Sequence, residues 1–97
     1  MYQSKFGNLD IDHLYEAILT LDTKEECYRF FEDLCTVKEI LDMAQRLKVA
    51  KMLKDKKPYT EIVTETKAST ATISRVNKSL VYGAEGYHLY FNKISQK

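Results

Sequence analysis

Ninety-seven residues are enough for one small domain with one modest core, and 44% hydrophobic with 11% aromatic residues excludes a disordered chain. The formal net charge of +1 conceals a division: residues 1–42 carry four Lys/Arg against ten Asp/Glu, a balance of −6, and residues 43–97 carry eleven against four, a balance of +7. Such asymmetry directs the C-terminal half towards a polyanion, unless the two halves simply neutralise each other.

In chain order, residues 1–8 (MYQSKFGN) show no periodicity and read as a flexible arm, with Tyr2 and Phe6 available to pack on a neighbour. Helical period starts at Leu9, where Ile11, Leu14, Tyr15, Ile18 and Leu21 mark one face and Asp10 and Asp12 sit where a helix dipole favours acids. Asp22-Thr23 ends that helix and caps the next, expected over 24–34, with Cys27, Phe30, Phe31 and Leu34 at i, i+3, i+4 and i+7. Thr36 and Glu39 have capping-box spacing and start the longest helix, 37 to about 55. Its apolar stripe is Ile40, Leu41, Ala44 and Leu47 at first, then widens to Val49, Ala50, Met52 and Leu53. A face that widens along a helix is buried from two directions, either in a dimer core or in one deep core. Lys54-Asp55-Lys56-Lys57 puts cations in the last turn, which suits the dipole and equally suits contact with phosphate. Pro58 then breaks the helix.

Residues 58–80 are the stretch that the rest of the chain is organised to carry. The pattern predicts a short helix from Pro58 to about Thr66, anchored by Ile62 and Val63, then a tight turn. A second helix is capped by Ser69 or Thr70, and its apolar stripe is Ile73, Val76 and Leu80. The opposite face carries Thr70, Thr72, Arg75 and Lys78, flanked by Ser74 and Asn77, and no Asp or Glu occurs between Thr66 and Ala84. A slim, polar, basic helix of this kind fits a DNA major groove as the second helix of a helix-turn-helix. Lys67 occupies the turn where such motifs often use Gly, and an ordinary surface hairpin of two helices is the competing reading. Gly83 and Gly86 then loosen the backbone before a last helix, 84–95, whose Tyr87, Tyr90, Phe91 and Ile94 form a latch.

No strand-type alternation is present, so the fold class is all-α, with about six short helices in a single domain: arm 1–8, dimerisation helices 9–57, helix-turn-helix 58–80 and latch 84–95. No apolar run spans a membrane, no leader pattern opens the chain, and Cys27 and Cys35 match no metal or redox spacing. These features predict a cytoplasmic protein with no membrane partner, both cysteines in the core. His13 and His88 are solitary, no phosphate loop or nucleophile elbow occurs, and Glu25-Glu26 and Glu32-Asp33 read as a solvated acidic face. No enzyme, metal or cofactor is expected.

The segment from Leu34 to Leu80 resembles the Trp repressor superfamily, best in Lys67-Ala-Ser-Thr-Ala-Thr-Ile-Ser-Arg75 and in the helix Met43-Ala-Gln-Arg-Leu-Lys-Val-Ala-Lys-Met-Leu53. It looks like the Trp-repressor-related branch called YerC/YecD, a resemblance that extends over nearly the whole chain. The resemblance implies an intertwined homodimer on double-stranded DNA, with paired recognition helices about 34 Å apart. It also implies that Thr70, Ala71, Thr72 and Ser74 face bases while surrounding basic and hydroxyl groups hold phosphate. In the repressor an arginine holds the tryptophan carboxylate and matches Arg75, and a pocket serine matches Ser79. The arginine that stacks on the indole falls on Gln45, one residue from Arg46, and the glycine after the carboxylate-binding arginine becomes Val76. A pocket-edge threonine falls on Cys35. Tryptophan is therefore not the expected ligand, and another small effector or none remains open at Gln45, Arg46, Arg75 and Ser79.

The expected function is a dimeric, sequence-specific DNA-binding transcriptional regulator, with a helical protein-interaction module as the alternative. Lys67, Lys78 and the 54–57 lysines would supply phosphate contacts. Ser69, Thr70, Ala71, Thr72 and Ser74 form the cap and reading surface, and thymine methyls could meet the Thr and Ala71 methyls. Arg75 has three open roles: phosphate contact, an anion held beneath the helix, or a pair with a core acid.

Overall fold

The structure, a computed structural model, describes residues 2–95. Six helices and no strands occur among them: α1 (Leu9–Ile18), α2 (Lys24–Leu34), α3 (Val37–Lys54), α4 (Tyr59–Thr66), α5 (Thr70–Tyr82) and α6 (Gly86–Ser95). The chain divides after Thr36 into two compact units.

The first unit holds α1 and α2. Asn8 caps α1, its side-chain oxygen accepting from the Ile11 N–H at 2.9 Å. The helix stops at Ile18, earlier than its apolar spacing suggests, and the Thr20 hydroxyl donates to the Ala17 carbonyl, so Leu21 lies beyond the helix. Thr23 caps α2 by accepting from the Glu26 N–H at 3.1 Å, while the Glu26 carboxylate accepts from the Asp22 N–H at 2.7 Å. These reciprocal bonds satisfy donors that a helix start leaves orphaned. Phe30 and Phe31 meet edge to face at 5.6 Å. Neither helix contains a buried residue. The core placement expected of the cysteines fails accordingly: Cys27 is exposed and Cys35 is half-buried. Two short helices are too small to enclose an apolar face between them. Tyr2 and Phe6 are likewise exposed rather than packed down.

The second unit has the core. Val49, Ala50 and Met52 of α3, Ile62 of α4, Ala68 of the following turn, Ile73 and Val76 of α5, and Phe91 of α6 are buried together, with Leu53, Leu80 and Tyr87 packed against them. The late half of α3 is thus the platform for α4 and α5. Its early half is different: Leu41 is 63% exposed and Val37 73%. Val63, expected as a second anchor of α4, is exposed, because only Ile62 on that short helix reaches α3's buried side. On α6 the expected aromatic face is narrower than its spacing suggests, since Tyr90 and Ile94 are exposed and Phe91 alone is fully buried. The Lys54 ammonium lies 5.4 Å from the Phe91 ring centre and covers it.

The breaks between helices are built almost without glycine. After α3 the Lys56 N–H donates to the Leu53 carbonyl and the Lys57 N–H to the Met52 carbonyl, both at 3.0 Å, which is a Schellman closure with Lys56 left-handed at φ 64. Pro58 follows as the N-cap of α4 rather than its first helical residue. Gly86 lies inside α6 and loosens nothing, whereas Glu85 takes the left-handed conformation beside it. Gly83 is needed for close approach: a Cβ there would collide with the Ser79 backbone carbonyl, the group that accepts from the Gly83 N–H at 2.9 Å.

Replacing Gly83 by Ala should therefore lower stability by about 1–3 kcal/mol. Thermal unfolding followed by circular dichroism would register a Tm lower by several degrees; an unchanged Tm would show that the end of α5 can shift freely.

Candidate nucleic-acid interface

The helix pair α4–α5 is closed by a turn whose every residue has a structural task. Lys67 is left-handed (φ 61) and donates its N–H to the Val63 carbonyl at 2.9 Å. A branched-chain or other L-residue in this region costs about 1–2 kcal/mol relative to right-handed backbone, the cost that Gly avoids elsewhere. The Thr66 hydroxyl offsets part of it by donating to the Ile62 carbonyl at 2.7 Å and accepting from the Ala68 N–H at 3.1 Å. Ala68 is buried and plugs the corner. Ser69 is the N-cap of α5: its hydroxyl oxygen accepts from the Thr72 N–H at 3.1 Å and its proton goes to the Thr72 hydroxyl at 3.1 Å.

Two side chains from outside the pair complete it. The Gln45 side-chain amide of α3 donates to the Thr66 carbonyl at 2.9 Å, across 21 residues of sequence. His88 of α6 donates from Nε2 to the Leu80 carbonyl at 2.7 Å, since a carbonyl can only accept. Each bond satisfies a last-turn carbonyl that its own helix leaves without a donor.

With Ile73 and Val76 turned into the core, α5 presents Thr70, Ala71, Ser74, Arg75, Asn77 and Lys78 exposed and Thr72 half-buried. Lys67 and Ser69 are exposed at its start. All eight residues expected to meet DNA thus lie on or beside the exposed surface of one helix start and its outer face. The first turn of α5 has no acid, so the positive end of its dipole is not neutralised.

The cations on this surface are uncommitted. Among the described residues Lys67, Arg75 and Lys78 form no ion pair, whereas the four pairs present, Arg29–Glu25, Lys38–Asp42, Lys51–Asp55 and Lys57–Glu61, are all i, i+4 neighbours elsewhere. Of the three roles open to Arg75, pairing with a core acid is not realised. The 54–57 lysines are partly engaged: Lys54 lies over Phe91, and Lys57 lies 3.8 Å from a Glu61 oxygen that has no hydrogen-bond partner. Lys56 remains the exposed cation of that group without a pair.

The residues considered for an effector are not alike in their surroundings. Gln45 is committed to the Thr66 carbonyl, Arg46 is half-buried, and Arg75 and Ser79 are exposed. Val76, in place of a glycine, is 2% exposed within the core, so its side chain occupies volume beneath α5. No group of three or more candidate metal ligands occurs among the described residues.

Sequence reasoning assigned Gln45 only to a ligand and missed its backbone bond, along with the roles of Ala68 and His88. A signal for Gln45 was present. It lies four residues after Leu41 and four before Val49, a polar side chain on the apolar side of α3, where an amide requires a partner.

Comparison with known proteins gives the same picture. The profile of the Trp repressor protein family matches residues 9–95. The uncharacterised protein YerC of Bacillus subtilis (strain 168) is 48% identical over 96 residues, covering 99% of this chain and 92% of that protein. A crystal structure from Staphylococcus aureus, provisionally assigned as a Trp repressor, superposes with a TM-score of 0.89 at 48% identity, covering 96% of this chain and 93% of the other. A TrpR-like protein from Eubacterium eligens ATCC 27750 superposes with a TM-score of 0.90 at 48% identity, covering 94% of each chain. The helix pair, its place on α3 and these matches together assign the chain to the Trp repressor family.

Proposed function

We propose that this protein is a sequence-specific DNA-binding regulator that acts as a homodimer, with α5 as its base-reading helix. The observation that carries the reading is the outer face of α5: small, polar, free of acids and flanked by three cations with no intramolecular partner. An anionic backbone is the partner such a face lacks, and the Trp repressor family is one of DNA-binding regulators.

Lys67, Arg75 and Lys78 hold phosphate and set the register, with Lys56 as an outlying contact. Thr70, Ala71, Thr72 and Ser74 meet base edges, their short side chains letting the helix lie deep in the major groove. Thr72 reads with its hydroxyl oriented by Ser69. A second copy supplies the cover that the early half of α3 lacks, where Val37, Leu41 and Met43 are exposed. Two copies related by a twofold axis would then bring their reading helices to successive major grooves, about 34 Å apart.

Tryptophan is not the effector in this reading. Val76 fills the space a glycine would leave open, and Gln45 offers no cation to an indole face. Titration calorimetry with L-tryptophan should show no binding heat; saturable binding in the micromolar range would refute this point.

The function is tested by selecting bound sequences from a random duplex pool at moderate salt. A twofold-symmetric motif with half-sites one helical turn apart is expected, and recovery of no motif above background would overturn the proposal. Within the selected site, Lys78→Ala should weaken binding to all sequences alike and lower the salt slope by about one. Thr70→Ala should instead change preference at one base-pair position, by about 1 kcal/mol. A gel shift indifferent to both substitutions would mean that another surface meets the DNA.

A further inference from the structure

We propose that Gln45 is a positioning residue that fixes the reading helix on the core without any bound ligand, so that the DNA-binding form is the resting form of the protein. The proposal rests on the DNA-binding reading above and deepens it to how that site is regulated.

Three observations carry it. The Gln45 amide makes a long-range side-chain hydrogen bond to the end of α4, where the turn to α5 begins, donating to the Thr66 carbonyl at 2.9 Å in a part-buried setting. That carbonyl stands at the end of α4, immediately before the left-handed Lys67 that sets the angle between the helices. The Thr66 hydroxyl is at the same time tied to Ile62 and Ala68, so Thr66 is held at its main chain from α3 and at its side chain from its own turn. A helix of eight residues has few bonds of its own with which to resist tilting, and a hydrogen bond from an 18-residue helix supplies an external fixed point.

The consequence is an equilibrium argument. If the turn could adopt a second arrangement, DNA affinity would be reduced by the fraction of molecules in the competent one, and a ligand binding only that arrangement would raise the affinity. A protein side chain that already satisfies the Thr66 carbonyl biases the equilibrium in advance. Nothing is then left for an effector to do at this point, and the amide of Gln45 cannot engage an incoming ligand without giving up the turn.

The test uses Gln45→Met, which keeps length and apolar stem but has no donor, and Gln45→Glu, which sets a carboxylate against the carbonyl. Amide hydrogen exchange on the full-length protein without DNA should show faster exchange at Lys67, Ala68 and Ser69 in both variants, with the core amides of Ile73 and Val76 unchanged. Binding to the selected duplex, measured well below each variant's Tm, should weaken by about three- to tenfold, the ratio expected from one net hydrogen bond. The dependence of affinity on salt should keep the wild-type slope, because no phosphate contact is lost. A merely structural role would lower Tm and leave the affinity of the folded variants intact, and that result overturns the proposal, as does unchanged exchange at the turn. Should one variant fail to fold, the other decides. If the wild-type protein binds no duplex at all, the proposed function falls and the positioning role in DNA binding falls with it, while turn exchange still reports whether Gln45 holds Thr66.

Discussion

Helices of eight and thirteen residues have too few hydrogen bonds to persist alone in water, so α4 and α5 exist because Ile62, Ala68, Ile73 and Val76 bury themselves against Val49, Ala50 and Met52 of α3. Each of the larger side chains contributes about 1.5–3 kcal/mol by leaving water. This contact has a directional consequence that apolar burial alone would lack. Ile73 and Val76 turn inward at helical spacing, so Thr70, Ser74, Arg75 and Lys78 must turn outward, and the polar face of α5 is the reverse side of the core stripe.

Hydrophobic contact does not fix angles finely, and the polar bonds around the helix pair take over that task. The last turn of α4 is closed by Gln45 and that of α5 by His88, while Ser69 closes the first turn of α5. Left-handed residues at Lys56, Lys67 and Glu85 are all non-glycine, so conformations that cost backbone energy are held by their surroundings. A turn with Lys in place of Gly loses some local ease and gains a cation at the start of α5. The substitution therefore links a backbone requirement to an electrostatic one.

Charge is arranged on the same plan. Where ion pairs occur they are short-range and exposed, worth little to stability, and they lie away from the outer face of α5. The cations that face outward from the helix pair stay unpaired, which leaves them available to an external polyanion. The early half of α3 and both helices of the first unit expose large apolar residues.

Much of this was legible in the residues. Periodicities of 3.6 gave six helices, the Ile73–Val76–Leu80 spacing separated the inner from the outer face of α5, and Asp22-Thr23, Pro58 and Ser69 marked boundaries, because caps and stripes are local properties. Local pattern failed where burial depends on what lies opposite. Cys27, Val63, Tyr90 and Ile94 fit an apolar stripe and are nevertheless exposed, and Leu21 fits the stripe of α1 but lies beyond its end. Only the tertiary structure decided the fate of the isolated polar groups. Gln45 meets Thr66 across 21 residues and His88 meets Leu80 across eight, and no spacing rule announces which carbonyl a distant side chain will reach. The sequence by itself determined the elements and the chemistry of the outer face; the packing of α3 under the helix pair decided which polar groups hold that face in position.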